Sequence, residues 1–327
     1  MLVSQLFTGI EHTTKQSDVF ISSITNDTRQ IEKDSLFICI KGLKFDGHSL
    51  AQQALDLGAS AIVCEKDLGL ENQIIVSNTR EAYAILCANF FGNPSKYLKL
   101  IGVTGTNGKT TITYLLKHIL ETAGKKVGLI GTIQNEIGDM VLPAKHTTPD
   151  PFQLHAIFAQ MKEAGCEYVV MEVSSHAMDQ HRLDACKFCA GIFINLTQDH
   201  LDYHGTMEAY YLAKKKLFSI CEIGVLNIDD SYGQKLKETL KIPVVTFSTK
   251  KDQATYTAKN IEFNIKGSKF AFVGNEKIAR IQIPMPGEFS VSNAMAAITC
   301  CLSIGIELDI ITHSLQTCNG ITGRCEI

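Results

Sequence analysis

No apolar run in the chain reaches membrane-spanning length, and the N-terminus lacks the basic-then-apolar pattern of a secretion signal. Charge of one sign is also missing. The formal net charge is -3 over 327 residues, so no global basic field points to nucleic acid. There is no internal repeat and no low-complexity tract. Eleven cysteines are scattered without a framework, and an odd count argues against full disulfide pairing. Cys186 and Cys189 make one CxxC, but no second pair at zinc-ribbon spacing follows, so core filling is the expectation there. No HExxH pattern supports a zinc hydrolase. Together these absences leave a cytoplasmic, reducing setting as the expectation, with neither a membrane nor a nucleic acid as partner.

What is present fits a soluble globular protein: 45% apolar and 20% charged residues, in a chain long enough for two domains. The most informative stretch is Ile101-Gly-Val-Thr-Gly-Thr-Asn-Gly-Lys-Thr-Thr111. Leu98 to Val103 reads as a buried strand and Gly105 to Gly108 as a glycine-rich turn. Ile112, Leu115, Leu116, Ile119 and Leu120 then recur at helical spacing until Gly124. Strand, turn and helix N-terminus make a phosphate cradle, because glycines admit the anion and free N–H groups point at it. Lys109 adds positive charge for the β- and γ-phosphates, and the Thr110 hydroxyl is placed to ligate Mg²⁺. Val103 stands five before Gly108, where the standard P-loop has glycine.

The fold expected is α/β in two domains. Residues 1–97 read as a small N-terminal α/β domain with strands at Ser35–Ile40, Ser60–Cys64 and Gln73–Val76, and a helix capped by Asn78. Residues 98–327 read as a P-loop domain with a mostly parallel sheet. Its strands are expected at Lys126–Gly131, Tyr168–Glu172, Ala190–Asn195, Gly224–Ile228 and Val244–Phe247, with helices including Pro151–Ala164 and Glu208–Phe218. Thr255 to Ile283 alternates instead, which predicts antiparallel hairpins, and a helix follows over Glu288–Leu302.

Polar clusters follow the strands, where ligands bind in parallel sheets. Glu172 ends one strand and leads into Ser174, Gln180 and Arg182. Asn195 to His204 follows another, with His200 as a possible metal ligand. His146-Thr-Thr-Pro-Asp150 is a third loop, and Thr25–Arg29 and Lys41–Gly47 are two more in the first domain. Each alone is as well read as a capped loop; three beside a P-loop are not.

At this point the residues resemble the Mur ligase family, and within it the ligases that add the third amino acid to UDP-N-acetylmuramoyl-L-alanyl-D-glutamate. The motifs are Gly105-Thr-Asn-Gly-Lys-Thr-Thr111, Thr147-Thr-Pro-Asp150, Met171-Glu-Val-Ser-Ser-His176, Asp199-His-Leu-Asp-Tyr-His-Gly205 and Ala213-Lys214. Pro286-Gly287 with Asn293, and Gly323-Arg-Cys-Glu326, look like the end of the family's central domain. The resemblance implies that Gly105, Thr106, Asn107, Gly108, Lys109, Thr110 and Thr111 hold ATP, with Asn293 near the adenine. It implies that Thr110, Glu172, His200 and a carbamylated Lys214 surround Mg²⁺, and that Lys109, Glu172, His200 and Lys214 serve catalysis. Thr28, Arg29, Thr147, Thr148, Ser174, Gln180 and Arg182 would hold the UDP-sugar dipeptide.

Two departures stand out. Thr28 occupies a position where the family usually has serine, and the hydroxyl survives. The family also has a C-terminal domain that holds the incoming amino acid, and neither it nor the Asp-Asn-Pro-Arg motif of diaminopimelate-adding members occurs here. The expectation is therefore a monomer that binds nucleotide but turns over poorly, with diaminopimelate and lysine both open as third amino acid. The alternatives are a non-catalytic nucleotide-binding remnant and a ligase like folylpolyglutamate synthase. Lys214 itself invites a charge argument. A protonated amine about 4 Å from a cation is repelled by roughly 1 kcal/mol per unit charge in water and about 4 at intermediate dielectric. Carbamylation reverses that sign.

Overall fold

The structure, a computed structural model, describes residues 1–15, 17–42 and 45–318. Two sequence readings touch residues outside these: Gly323–Glu326, and Leu43 and Lys44 within the Lys41–Gly47 loop. The chain divides into two units.

The first unit comprises Met1–Ser95, Asp150–Ala159 and Gln180–Ala185. Its strands are β1 (Thr13–Thr14), β2 (Ser23–Thr25), β3 (Ser35–Ile38), β4 (Ala59–Cys64) and β5 (Gln73–Ile75), and its helices α1 (Val3–Leu6), α2 (Ala51–Asp56) and α3 (Thr79–Phe90). The sheet order is β1-β5-β4-β3-β2, parallel except for the β1 edge. Strands β3 and β4 are apolar apart from Ser35 and Ser60 because both faces are covered. Leu36, Ile38, Ala61 and Val63 pack on one side with Leu6, Tyr83 and Leu86. Phe37, Ile62 and Cys64 pack on the other with Ala51 and Ala54. Asn78 caps α3 as the sequence predicts, its side chain accepting from the Arg80 and Glu81 N–H groups. Of Thr25–Arg29, read as a loop, only Thr25 is strand, the last residue of β2, while Thr28 and Arg29 open a 3-10 turn, Thr28–Gln30, under an Asp27 cap.

The second unit comprises Lys96–Pro149, Gln160–Asp179 and the chain from Cys186 on. Its strands in chain order are β6 (Lys99–Thr104), β7 (Val127–Ile130), β8 (Gln134–Ile137), β9 (Met140–Pro143), β10 (Tyr168–Glu172), β11 (Phe188–Phe193), β12 (Gly224–Asn227), β13 (Val244–Ser248), β14 (Tyr256–Asn264), β15 (Gly267–Gly274) and β16 (Lys277–Ile283). The helices are α4 (Lys109–Thr122), α5 (Pro151–Glu163, whose residues divide between the units), α6 (Ser175–Asp179), α7 (Leu201–His204), α8 (Met207–Lys215), α9 (Ser231–Thr239), α10 (Glu288–Ser303) and α11 (Leu308–Thr317). The sheet runs β16-β15-β14-β13-β12-β11-β6-β10-β7-β8-β9. It is parallel from β14 to β7 and antiparallel at both flanks. The antiparallel hairpins expected over Thr255–Ile283 are β14 to β16. The β8–β9 hairpin was not legible, because its inward positions Asn135 and Glu136 are polar. Lys117 of α4 pairs with Glu136, so the burial that hides behind a polar pattern is paid in an ion pair.

Strand β6 lies between β10 and β11. It is central because Leu100 to Thr104 are all buried, and α4 packs its Ile112, Leu115, Leu116 and Ile119 face into the same core as Val291, Ala294 and Ile298 of α10. This position matters for chemistry. In register, Val103 is paired with Glu172 on one side and Ile192 on the other. The loop after β6 therefore emerges with the ends of β10 and β11 flanking it. Among the described residues no helix is long and apolar enough to cross a membrane.

Candidate functional site

The site grows from the turn between β6 and α4. Gly108 caps α4 in the left-handed region, at φ 90°. A Cβ there would lie 2.6 Å from Asn293 Oδ1, so glycine is required both by the backbone and by the approach of α10. The turn leaves the first N–H groups of α4 facing outward, which is where an anion is best stabilised. Lys109 folds back and donates to the Gly105 and Thr106 carbonyls, both at 3.0 Å.

Glu172, at the end of β10, is 1% exposed. Burying a carboxylate demands donors, and three meet it. The Thr110 hydroxyl donates to Oε1 at 3.0 Å, the Thr132 N–H to Oε1 at 2.9 Å, and the Thr132 hydroxyl to Oε2 at 3.0 Å. A Cβ at Gly131 would sit 2.8 Å from Glu172 Oε1. The Thr132 hydroxyl also lies 3.0 Å from the Thr147 hydroxyl, from which it can accept. Thr148 donates to the Glu172 carbonyl at 2.8 Å and accepts from the Ser174 N–H at 3.1 Å. Thr110, Glu172, Thr147, Thr148 and Ser174 thus form one continuous polar patch beside the turn.

On the other side, α8 carries Lys214, 2% exposed, whose Nζ donates to the Gly105 carbonyl at 2.9 Å and lies 4.6 Å from the Tyr210 ring centroid. Burial holds the Lys214 ammonium well below the ordinary lysine range; the charge of Lys109 pushes the same way, and Asp199 opposes. Tyr210 ties the cluster together, with its hydroxyl 3.3 Å from the Thr106 hydroxyl and its ring 6.1 Å from that of His200. His200 has φ 51° and is held by Asp199, which accepts its N–H at 2.9 Å. His176 stands edge-on to it at 4.9 Å, and His204 stacks on Tyr210 at 5.1 Å with Nε2 2.9 Å from the Ser175 hydroxyl. Burial first, and His176 next, push the His204 imidazole down.

The second unit therefore gathers Gly105–Thr111, Thr147, Thr148, Glu172, Ser174, His200, Lys214 and Asn293 around one turn. The remaining candidates belong to the first unit. Arg29 chelates Asp27 through Nε and Nη2, and its side chain is 86% exposed; Thr28 opens the same 3-10 turn. Arg182 donates to Gln180 Oε1 through Nε and Nη2, at 3.2 and 2.7 Å. Cys189 of the CxxC donates to the Leu100 carbonyl, and burial lifts its thiol to about 11, a packing role.

Two polar residues of this site were given no role in the sequence reading. Thr132 supplies two of the three hydrogen bonds on Glu172. Asn195, just after β11, bonds the Thr106–Asn107 segment through its carboxamide. Both lie at the carboxyl ends of strands neighbouring β6 or β10, which is the signal that could have found them.

The donor set fits a triphosphate with a hard divalent cation. Thr110 and Glu172 offer adjacent oxygens and no sulfur, as Mg²⁺ prefers, while the α4 N-terminus and Lys109 suit phosphate oxygens.

Comparisons with known proteins agree with this chemistry. The Mur ligase middle domain family matches residues 103–301, and the family described as Mur ligase family, catalytic domain, matches residues 20–90. A UDP-N-acetylmuramoyl-L-alanyl-D-glutamate–2,6-diaminopimelate ligase of Clostridium tetani is 43% identical over 95% of this chain and 65% of its own length. The ligase of the same description from Caldanaerobacter subterraneus subsp. tengcongensis is 43% identical over 100% of this chain and 68% of its own. A solved structure of a ligase so described superposes with a TM-score of 0.84 at 28% identity, covering 93% of this chain and 64% of that one. The chain spans about two thirds of the length of the relatives it matches. By motif, fold and these likenesses, the chain belongs to the Mur ligase family.

Proposed function

We propose that the chain is the nucleotide- and UDP-sugar-binding part of an ATP-dependent amide ligase of peptidoglycan precursor synthesis. The reading is that it adds the third amino acid to UDP-N-acetylmuramoyl-L-alanyl-D-glutamate in the cytoplasm. The relatives' names favour diaminopimelate over lysine as that amino acid. One observation carries the proposal: a buried carboxylate, Glu172, and a buried amine, Lys214, meet the same turn from opposite sides, at Thr110 and Gly105.

A carboxylate is a poor electrophile because oxide is a poor leaving group. In the reaction proposed, the D-glutamate γ-carboxylate attacks the γ-phosphorus of ATP, the bond to the ADP oxygen breaks, and an acyl phosphate results. The amine of the third amino acid then attacks the acyl carbon, phosphate leaves with the C–O bond electrons and takes up the proton the nitrogen loses, and an amide remains. Two anions must approach, so the residues must offset their repulsion. Lys109 and the N–H groups of Gly108 to Thr111 hold the phosphates, and Asn293 borders the adenine side. Thr110, Glu172 and His200 are the residues for Mg²⁺, which when bound neutralises phosphate charge.

Lys214 is read as the fourth member of that set after carbamylation. Its desolvated, neutral amine forms a bond to CO₂ carbon and releases a proton, giving an anionic oxygen donor in place of a cation. Thr147, Thr148 and Ser174 present hydroxyls to the acceptor dipeptide, and Thr28, Arg29, Gln180 and Arg182 are assigned to its UDP-sugar end. In this reading residues 1–97 serve the UDP-sugar, and 98–327 serve the ATP and also contribute Gln180, Arg182 and the three hydroxyls to the UDP-sugar dipeptide.

The test is a titration of the chain with UDP-N-acetylmuramoyl-L-alanyl-D-glutamate and with ATP–Mg²⁺, followed by mass spectrometry after mixing both with diaminopimelate. Binding of both ligands is expected, and tripeptide product where the protein turns over. Failure to bind the UDP-dipeptide would overturn the reading.

A further inference from the structure

Glycine at 105 and 108 lets a phosphate approach, but glycine also leaves the unligated turn free to adopt many shapes. Something must hold it. Asn195, directly beyond β11, contacts it at four points. Its backbone carbonyl accepts from the Thr106 N–H at 3.1 Å. Its Oδ1 accepts from the Thr106 and Asn107 N–H groups at 3.1 and 3.0 Å, and its Nδ2 donates to the Asn107 carbonyl at 3.2 Å. A carboxamide offers an acceptor oxygen and a separate donor nitrogen from one short side chain. The neighbouring Thr197 reinforces the contact, its N–H donating to the Thr106 hydroxyl at 3.0 Å.

We propose that Asn195 is a positioning residue for the nucleotide: its carboxamide braces Thr106 and Asn107 so that the phosphate-binding turn is already shaped before ATP arrives. The brace takes up the N–H groups of Thr106 and Asn107 and leaves those from Gly108 to Thr111 for phosphate. It also follows from topology. β11 is parallel to β6, with Phe193 in register with Thr104, so the two strands end together and Asn195 is carried to the loop without any flexible linker. Asn195 touches no ligand in this scheme; it acts through the loop.

The inference rests on the nucleotide reading above, and one experiment separates the two. The 327-residue chain, its Asn195→Ala variant and its Asn195→Asp variant are titrated with ATP–Mg²⁺, and amide hydrogen exchange is followed without nucleotide. Wild type that binds no ATP overturns the nucleotide reading itself. If wild type binds, Asn195→Ala is expected to weaken ATP by about 10- to 100-fold, the scale of two or three lost hydrogen bonds. Exchange should speed up at Thr106 and Asn107 while β10 and the body of α4 keep their protection. Asn195→Asp keeps the acceptor, so its Thr106 and Asn107 amides should stay protected even if Asn195→Ala fails to fold. Unchanged ATP affinity in Asn195→Ala, exchange that rises equally throughout the unit, or loss of protection in Asn195→Asp overturns the brace.

Discussion

Lys109 and Lys214 donate to the same acceptor, the carbonyl oxygen of Gly105, at 3.0 and 2.9 Å. Two ammonium groups sharing one oxygen repel by an energy on the order of 3 kcal/mol at an effective dielectric near 20. The buried one yields its proton more easily, and that is Lys214. Burial and the neighbouring Lys109 thus favour the neutral form of the Lys214 amine beside the phosphate-binding turn. The carbamate proposed at Lys214 would put an anion in place of one of these two ammonium groups and so remove the repulsion within the pair.

Chemistry at Lys214 can be read directly. With ¹³C-labelled bicarbonate, the wild-type chain should show a carbamate carbon resonance that disappears in Lys214→Ala. Short carboxylates such as acetate should restore part of the Mg²⁺-dependent ATP binding lost in that variant. A labelled wild type without the resonance would contradict carbamylation.

Glu172 is the carboxylate most tightly bound into the site, and its replacement separates charge from shape. Glu172→Gln keeps an oxygen for Thr110 and for the Thr132 N–H, so the thermal midpoint should move little. The enhancement of ATP affinity by Mg²⁺ should fall by at least about tenfold, as for losses in metal-site environments. Titrations with and without Mg²⁺ measure it.

Gly108 tests the turn. Its φ of 90° and the 2.6 Å approach to Asn293 Oδ1 leave no room for a methyl group. Gly108→Ala should cost about 1–2 kcal/mol of stability from the left-handed backbone alone, read by urea unfolding. It should also weaken ATP, because Asn293 must move.

His155, on α5, gives a pH signature. It is fully buried, and neither ring nitrogen has a hydrogen-bond partner. Desolvation lowers its pKa to about 4. The folded chain therefore keeps it neutral where the unfolded chain protonates it. Its contribution to stability is intact above about pH 6.5 and is lost as pH falls from there toward 4, by about 3 kcal/mol at most. His155→Phe should flatten that part of the pH–stability curve. An unchanged slope would remove His155 as its cause.

Much of this arrangement was legible beforehand, for reasons that differ by residue. Leu100–Val103 and Tyr168–Met171 are continuous apolar runs, and such runs announce buried parallel strands. Gly105–Thr111 is short-range chemistry, readable without knowing what surrounds it. Long-range facts were not readable in the same way. Thr132 sits after a strand in a stretch with no pattern, and its value comes from β7 lying beside β10. Asn195 was visible in its motif, but its grip on Thr106 and Asn107 depends on β11 ending level with β6. Strand β8 was hidden because Lys117, the residue that pairs with its buried Glu136, is on another element. Helix α11 was missed where Ile311, Ser314 and Leu315 offer only a narrow buried stripe.

The most direct test of the account is the affinity of the chain for ATP–Mg²⁺ beside that of Lys109→Ala. The account predicts saturable, Mg²⁺-dependent binding that drops by about 10- to 100-fold when the charge-assisted bonds of Lys109 are removed. Equal affinity in the two proteins, or no saturable binding by the wild type, would contradict it.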